Sequence, residues 1–279
     1  MPHATPVLVT VAELRPGAVL LDVRWALGDP RGREHYLEGH IPGAVFVDLE
    51  TDLAAPPSRA AGRHPLPSVQ DLQDSARRWG IHNDSSVVVY DATGGLAAAR
   101  AWWLLRWGGL GDVRILDGGL AAWLAAGRQP AQGYEQPAAL GSVALTGGGM
   151  PIIEIDDAAT WSRHGTLLDA RAAERYRGEV EPVDRRAGHV PGAVNAPTTE
   201  NIDSSGRFKS ADLLADRFAG VVGPVAVYCG SGVTAAHEIA ALAVAGIEAA
   251  LYPGSWSQWS GDDARAVATG HETRSTDNA

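Results

Sequence analysis

The 279-residue chain contains a single cysteine, Cys229, in the run Tyr-Cys-Gly-Ser-Gly-Val-Thr-Ala that begins at Tyr228. The apolar segment Val-Ala-Val-Tyr leads into it and an Ala-rich segment follows, so the pattern predicts a strand, a tight loop over 229–234 and a helix. Glycines at 230 and 232 open backbone conformations closed to other residues, so successive N–H groups can turn inward as an anion-binding nest. The start of the helix adds unpaired N–H groups and the positive end of its dipole. Such a setting favours the thiolate, which is the nucleophilic form of cysteine. The sequence thus marks Cys229 as a nucleophile, with Gly230, Ser231, Gly232, Val233 and Thr234 as its cradle. An inert buried thiol, the common state of a free cysteine, is the competing reading.

Composition narrows the chemistry. With 33 acidic and 23 basic side chains the formal charge is −10, which argues against a general nucleic-acid binder, because phosphate backbones need a basic surface. Lys209 is the only lysine, so an anion site must be built from arginine or backbone N–H groups. One cysteine excludes an intrachain disulfide. The first residues lack the basic and long apolar regions of a signal peptide, and no run approaches the roughly 18 apolar residues of a membrane span. The expected setting is the cytoplasm, with no membrane or nucleic-acid partner, no metal and no separate cofactor.

The elements that position the loop come in two copies. Leu-Leu-Asp-Val-Arg from Leu20 returns from Leu167, with Ala170 in place of Val23. Gly-His-Ile-Pro-Gly-Ala from Gly39 returns as Gly-His-Val-Pro-Gly-Ala from Gly188. Val-Val-Val-Tyr-Asp from Val87 returns as Val-Ala-Val-Tyr-Cys from Val225, and Ile-Leu-Asp-Gly-Gly from Ile115 as Leu-Tyr-Pro-Gly-Ser from Leu251. Matches in one order indicate a duplicated module. The modules are assigned to 1–134 and 151–279, joined by a Gly- and Pro-containing linker at 135–150. Within each, short apolar runs alternate with longer helical stretches. That predicts an α/β fold with a parallel sheet flanked by helices, ligands gathering beyond the carboxyl ends of the strands.

The tandem modules, the two Gly-His-Ile/Val-Pro-Gly-Ala stretches and the Cys-Gly-Ser-Gly-Val-Thr-Ala loop resemble the two-domain rhodanese-type sulfurtransferases. The loop is more similar to the 3-mercaptopyruvate branch than to the thiosulfate branch. The resemblance implies a pair of rhodanese-like domains in which Cys229 takes a sulfane sulfur from a small anionic donor, becomes a persulfide, and passes the sulfur to a thiol, thioredoxin or cyanide. The first module carries Asp91 where the second has Cys229. A carboxylate cannot carry sulfane sulfur, so the first module is expected to be catalytically silent and to wall the site.

For the donor, thiosulfate enzymes of this family place cations beside the cysteine, where this chain has Gly230 and Ser231. 3-Mercaptopyruvate carries a carboxylate, which suits an arginine fork farther away. Arg175 matches the family's first substrate arginine. The second falls in Glu-Pro-Val-Asp-Arg-Arg, where Pro182 and Val183 stand in its place, so Arg185 or Arg186 is expected to substitute. The family also links the loop serine to a histidine and an acid from the first domain; Ser231, His40 and Asp29 are the expected counterparts, serving proton transfer.

His40 and His189 both stand in repeated turns, however, and a buttressing role is the alternative for each. Asp22 with Arg24 and Asp169 with Arg171 also occur in both copies and read as structural charge pairs. Trp102, Trp103 and Trp107 read as core or interdomain packing. A cysteine phosphatase would need an arginine six residues after the nucleophile, where Ala235 stands. Two alternatives stay open: a thiosulfate:cyanide sulfurtransferase, and a persulfide or redox-sensing module without turnover.

Overall fold

The structure is a computed structural model that describes residues 5–271; the outer ends of the two assigned modules, 1–4 and 272–279, lie outside the described residues. In the first half, β1 (Leu8–Val9), β2 (Val19–Val23), β3 (Val45–Val47), β4 (Val87–Tyr90) and β5 (Val113–Leu116) form a sheet in the order β1-β5-β4-β2-β3, every neighbouring pair parallel. Its helices are α1 (Gly32–Glu38), α2 (Leu49–Asp52), α3 (Val69–Arg78), α4 (Ala98–Trp107) and α5 (Gly119–Ala125). In the second half, β6 (Thr166–Asp169), β7 (Val194–Asn195), β8 (Val225–Tyr228) and β9 (Ala249–Leu251) form a second parallel sheet in the order β7-β6-β8-β9. An isolated parallel bridge from Ile152 to Leu251 takes the place that β1 holds in the first sheet. The helices here are α6 (Ile155–Ala158), α7 (Ala173–Tyr176), α8 (Ala211–Arg217), α9 (Thr234–Val244) and α10 (Ser255–Gly261).

The central strands β4 and β8 are buried along their whole length, as continuous apolar runs covered on both faces must be. Helices α4 and α9 start beyond these strands and pack on each other across the two halves. Both are apolar around most of their circumference, and their alanines let the backbones approach, so one core runs through both modules. Trp102 and Trp103 are buried in it, and Trp107 stacks on Trp103 at 6.3 Å. The linker stretch is not a free tether. Gly141 N–H donates to the Arg77 carbonyl and Val143 N–H to that of Ile81, and Val143 and Leu145 are buried against the first module.

The repeated polar residues tie strand ends to turns. Arg24 grips buried Asp22 with two nitrogens and donates to the Gly39 carbonyl at 2.6 Å. Arg171 does the same with Asp169 and the Gly188 carbonyl at 2.7 Å.

Asp91 shows what the corresponding loop of the first module holds. One carboxylate oxygen accepts the N–H groups of Thr93 and Gly95, both at 2.8 Å, and the other those of Ala97 and Ala98 at 2.8 and 3.0 Å. The side chain is itself the anion in the cradle. Asp91→Ala strands those donors, three of them in buried bonds, and is expected to lower unfolding free energy by about 2–4 kcal/mol, read from urea denaturation. A loss below about 0.5 kcal/mol would mean that water replaces the carboxylate without penalty.

Candidate active site

β8 hands the chain to the loop that opens α9, and at its start Cys229 is only 1% exposed. The Gly232 N–H donates to Cys229 Sγ at 3.2 Å. Gly232 has φ +80°, and a Cβ there would lie 2.6 Å from the Pro253 carbonyl oxygen, so the position admits only glycine. The start of α10 holds the loop from behind: Trp256 and Ser257 donate their N–H groups to the carbonyls of Cys229 and Gly230 at 3.0 and 2.9 Å. Cys229 N–H donates to Ser255 Oγ at 3.2 Å, and that hydroxyl donates to the Tyr252 carbonyl. Among the described residues Ser255 is the only non-glycine with positive φ, 52°; Gly119, its counterpart in the first module, has the same φ. The hydroxyl of this strained serine is held by the Tyr252 carbonyl and in turn holds the cysteine N–H. Val233 lies buried in the loop and Thr234 begins α9.

Ser231, 5% exposed, meets a histidine from the first module, and that histidine is His64. His64 Nδ1 lies 2.7 Å from Ser231 Oγ, and Nε2 lies 3.0 and 3.1 Å from the two carboxylate oxygens of Glu50. A carboxylate only accepts, so Nε2 carries the proton and Nδ1 accepts from the serine hydroxyl. Burial lowers the His64 pKa below the ordinary histidine value, against the opposing pull of Glu50, so the ring is neutral at pH 7. Glu50 also accepts from the Trp25 indole at 2.8 Å. With its side chain 57% exposed, it opens on a cleft of about 580 Å³. A line of hydrogen bonds thus leads from the loop to a solvent-facing carboxylate.

The expectation for His40 and Asp29 is corrected here. His40 is fully buried, with Nδ1 2.9 Å from the Tyr36 carbonyl, Nε2 3.4 Å from Glu135 and its ring stacked on Tyr36. His189 repeats the arrangement on Tyr176, with Nδ1 2.8 Å from the carbonyl. The repeated histidine buttresses its turn in both modules. Asp29 bonds His35 at 3.0 Å and the Arg31 N–H at 2.9 Å, and does not meet His40.

One side chain that the sequence reading passed over joins the parts. Arg100, fully buried in α4, donates to the Gly232 carbonyl at 3.1 Å, the His64 carbonyl at 3.0 Å and that of Leu53 at 3.2 Å. Burial brings its pKa down to about 10, with the Cys229 charge acting in the opposite sense, so it stays cationic at neutral pH.

Arg175 lies over the loop as expected, but its companion is Arg63. A Cβ built on Gly230 would lie 3.3 Å from Arg63 Nη2 and 3.5 Å from Arg175 Nη1. Arg185 and Arg186 do not fill this place. Arg185 is 61% exposed beside Asp263. Arg186 donates to the carbonyls of Trp259, Ser260, Asp262 and Arg265, closing the end of α10.

Arg63 and His64 had a signal in the sequence. Gly62-Arg63-His64 has the counterpart Gly206-Arg207-Phe208 in the second module. A Cβ on Gly95, in the Asp91 loop of the first module, would lie 3.2 Å from the Phe208 ring. Each module therefore lays this segment on the loop of the other, and histidine replaces phenylalanine where cysteine replaces aspartate.

Known proteins are similar to this chain in sequence and in fold. The family model described as the rhodanese-like domain matches residues 11–126 and again 154–262. SseB of Mycobacterium tuberculosis, provisionally named a thiosulfate sulfurtransferase, is 47% identical over 280 residues, covering 95% of this chain and 97% of its own. A Pseudomonas aeruginosa protein provisionally named a 3-mercaptopyruvate sulfurtransferase is 47% identical over 268 residues, covering 91% and 93%. The crystal structure of Escherichia coli SseA, described as a 3-mercaptopyruvate sulfotransferase, is 34% identical with a TM-score of 0.79, over 91% of this chain and 100% of that one. The chain belongs to the rhodanese-like family, as two such domains in tandem, and is a sulfurtransferase.

Proposed function

We propose that the protein moves a sulfane sulfur on Cys229 from a small anionic donor, 3-mercaptopyruvate in preference to thiosulfate, to a thiol or to cyanide. The observation that supports this is one constellation. The sole cysteine is held against the Gly232 N–H, and beside it Ser231 is bonded to a neutral His64. The Cys229 thiolate attacks the donor sulfur. The carbon–sulfur bond breaks with its electron pair on carbon, leaving the enolate carbanion of pyruvate and a Cys229 persulfide. The proton that leaves the donor thiol passes through Ser231 to His64, where Glu50 stabilises the imidazolium, and returns to carbon to give pyruvate. An acceptor thiolate then attacks the outer sulfur and restores the Cys229 thiolate; cyanide leaves as thiocyanate.

In this reading the sulfur rides on the protein's own cysteine and the chemistry needs no added cofactor. The acceptor is a low-molecular-weight thiol, a thioredoxin or cyanide, met in the cytoplasm, where thiol pools keep Cys229 reduced. Among the described residues no helix is long and apolar enough to cross a membrane.

The donor preference rests on Gly230 and Ser231, which place no cation inside the loop for a compact dianion. Steady-state kcat/KM is expected to favour 3-mercaptopyruvate over thiosulfate by at least about tenfold. A ratio below one would make thiosulfate the donor.

A further inference from the structure

Among the described residues Arg100 has no acidic partner: every hydrogen bond that this fully buried side chain makes goes to a backbone carbonyl. Burying a cation without a counter-ion is costly. The second module shows that the contact itself needs no charge. Ala99 and Arg100 of α4 have His237 and Glu238 of α9 as counterparts, eight and nine residues after Asp91 and Cys229. Arg100 Nη1 lies 3.1 Å from the Gly232 carbonyl, and His237 Nε2 lies 3.2 Å from that of Gly94. Gly94 and Gly232 are matching positions, three residues after Asp91 and Cys229. Each module therefore clasps the same carbonyl in the loop of the other. His237 does so as a neutral ring, its pKa lowered to about 4 by burial. Glu238, at the position that matches Arg100, stays in its own module and bonds Asn201 at 2.6 Å.

The clasp has a geometric consequence. The carbonyl and the N–H of one trans peptide point in opposite directions. A donor on the Gly94 carbonyl thus turns the Gly95 N–H inward, where it reaches Asp91 at 2.8 Å. Gly232–Val233 is the matching trans peptide beside Cys229.

We propose that Arg100 is a positioning residue for sulfur transfer: from the first module it turns the Val233 N–H toward the cysteine cradle and sets Ser231 against His64 with the same guanidinium. The inference rests on the sulfur-carrier reading of the site and names the residue that holds cradle and base in register. Ser231 stands between the two carbonyls involved. It precedes Gly232 in the chain and lies 2.7 Å from Nδ1 of His64, whose carbonyl Arg100 holds at 3.0 Å. A planar fork with fixed angles between its arms transmits that register, and a flexible ammonium does not. The charge has a separate target. The charged groups set against the His64 ring are Glu50, Arg100 and Arg63. Burial lowers the ring's pKa most and Glu50 opposes it, while Arg100 and then Arg63 add to the lowering. Arg100 therefore also disfavours a proton on the base before the donor arrives.

The test places Arg100→Met in the wild-type and His64→Ala proteins and follows sulfur loading from 3-mercaptopyruvate by intact mass in a single turnover. In the wild-type protein the substitution is expected to slow loading by about 10²-fold, with donor KM within about threefold. In His64→Ala it should cost about tenfold or less, the loosened cradle alone, because the base it positions is gone. Arg100→Lys, which keeps a positive charge and a donor, should recover part of the loss. Nitrogen NMR reads the charge without turnover: His64 should titrate at higher pH in Arg100→Met than in the wild-type protein.

Equal losses in the two backgrounds, or loading by Arg100→Met within about twofold of wild type, overturn the positioning role. An unmoved His64 titration overturns the charge coupling. If Arg100→Met does not fold, Arg100→Lys in the same two backgrounds decides: a loss that does not shrink in His64→Ala overturns the role. A wild-type protein that gains no sulfur, while Arg100→Met still moves the His64 titration, refutes the carrier reading and leaves the coupling standing.

Discussion

Cys229→Ser is expected to lower sulfur transfer by about 10⁴-fold or more with every donor, in a protein that folds normally. The substitution changes one atom, and the backbone bonds that hold the loop, from Ser255, Trp256 and Ser257, do not involve that atom. The new hydroxyl stays protonated at neutral pH, and oxygen cannot form the persulfide that carries sulfur between half-reactions. Cys229→Ala should show the same loss, since neither variant retains a carrier. Turnover within about tenfold of wild type in Cys229→Ser would end the account, because no other cysteine exists in the chain.

The second large effect separates two histidines. His64→Ala is expected to reduce kcat by about 10²- to 10³-fold, because Ser231 loses the base that takes and returns its proton. His40→Ala should leave kcat within about twofold and instead cost about 1–3 kcal/mol of stability, since its ring packs on Tyr36 and bonds that residue's carbonyl. The pH profile adds an independent reading. Burial lowers the His64 pKa, so the neutral, base-competent ring persists below the usual histidine range. The acid limb of kcat/KM should therefore fall below pH 6.5, the ordinary value, and vanish in His64→Ala. An equal kcat loss in a folded His40→Ala protein, with His64→Ala near wild type, would reverse the assignment.

The repeat made the architecture legible, because buried parallel strands and their turns recur in the same order in both copies. The proposed nucleophile was legible for a related reason: Cys229 stands where the other copy has Asp91, and the four N–H groups on Asp91 show that the loop of the first copy is built to hold an anion. The partner of Ser231 is harder to read: His40 stands in a stretch that both modules share, and shared residues here tie strand ends and turns together. Asp22 with Arg24, Asp169 with Arg171, and the stacked His40 and His189 are all of this kind. The residues proposed to carry the chemistry lie where the copies differ, at Cys229 against Asp91 and at His64 against Phe208. Arg100 could not be placed from sequence, since nothing local says that its guanidinium will cross the interface to Gly232 and His64. Arg63 was hidden similarly: its partner Asp184 lies 121 residues away and meets it only when the modules pack.

The most direct measurement is the intact mass of the reduced protein after one equivalent of 3-mercaptopyruvate, with Cys229→Ser treated alongside. The account predicts that the wild-type protein gains the mass of one sulfur atom and that cyanide removes it as thiocyanate. It also predicts that the serine variant gains nothing. Full donor consumption with no sulfur on the wild-type protein, or the same gain in the serine variant, would contradict transfer through Cys229.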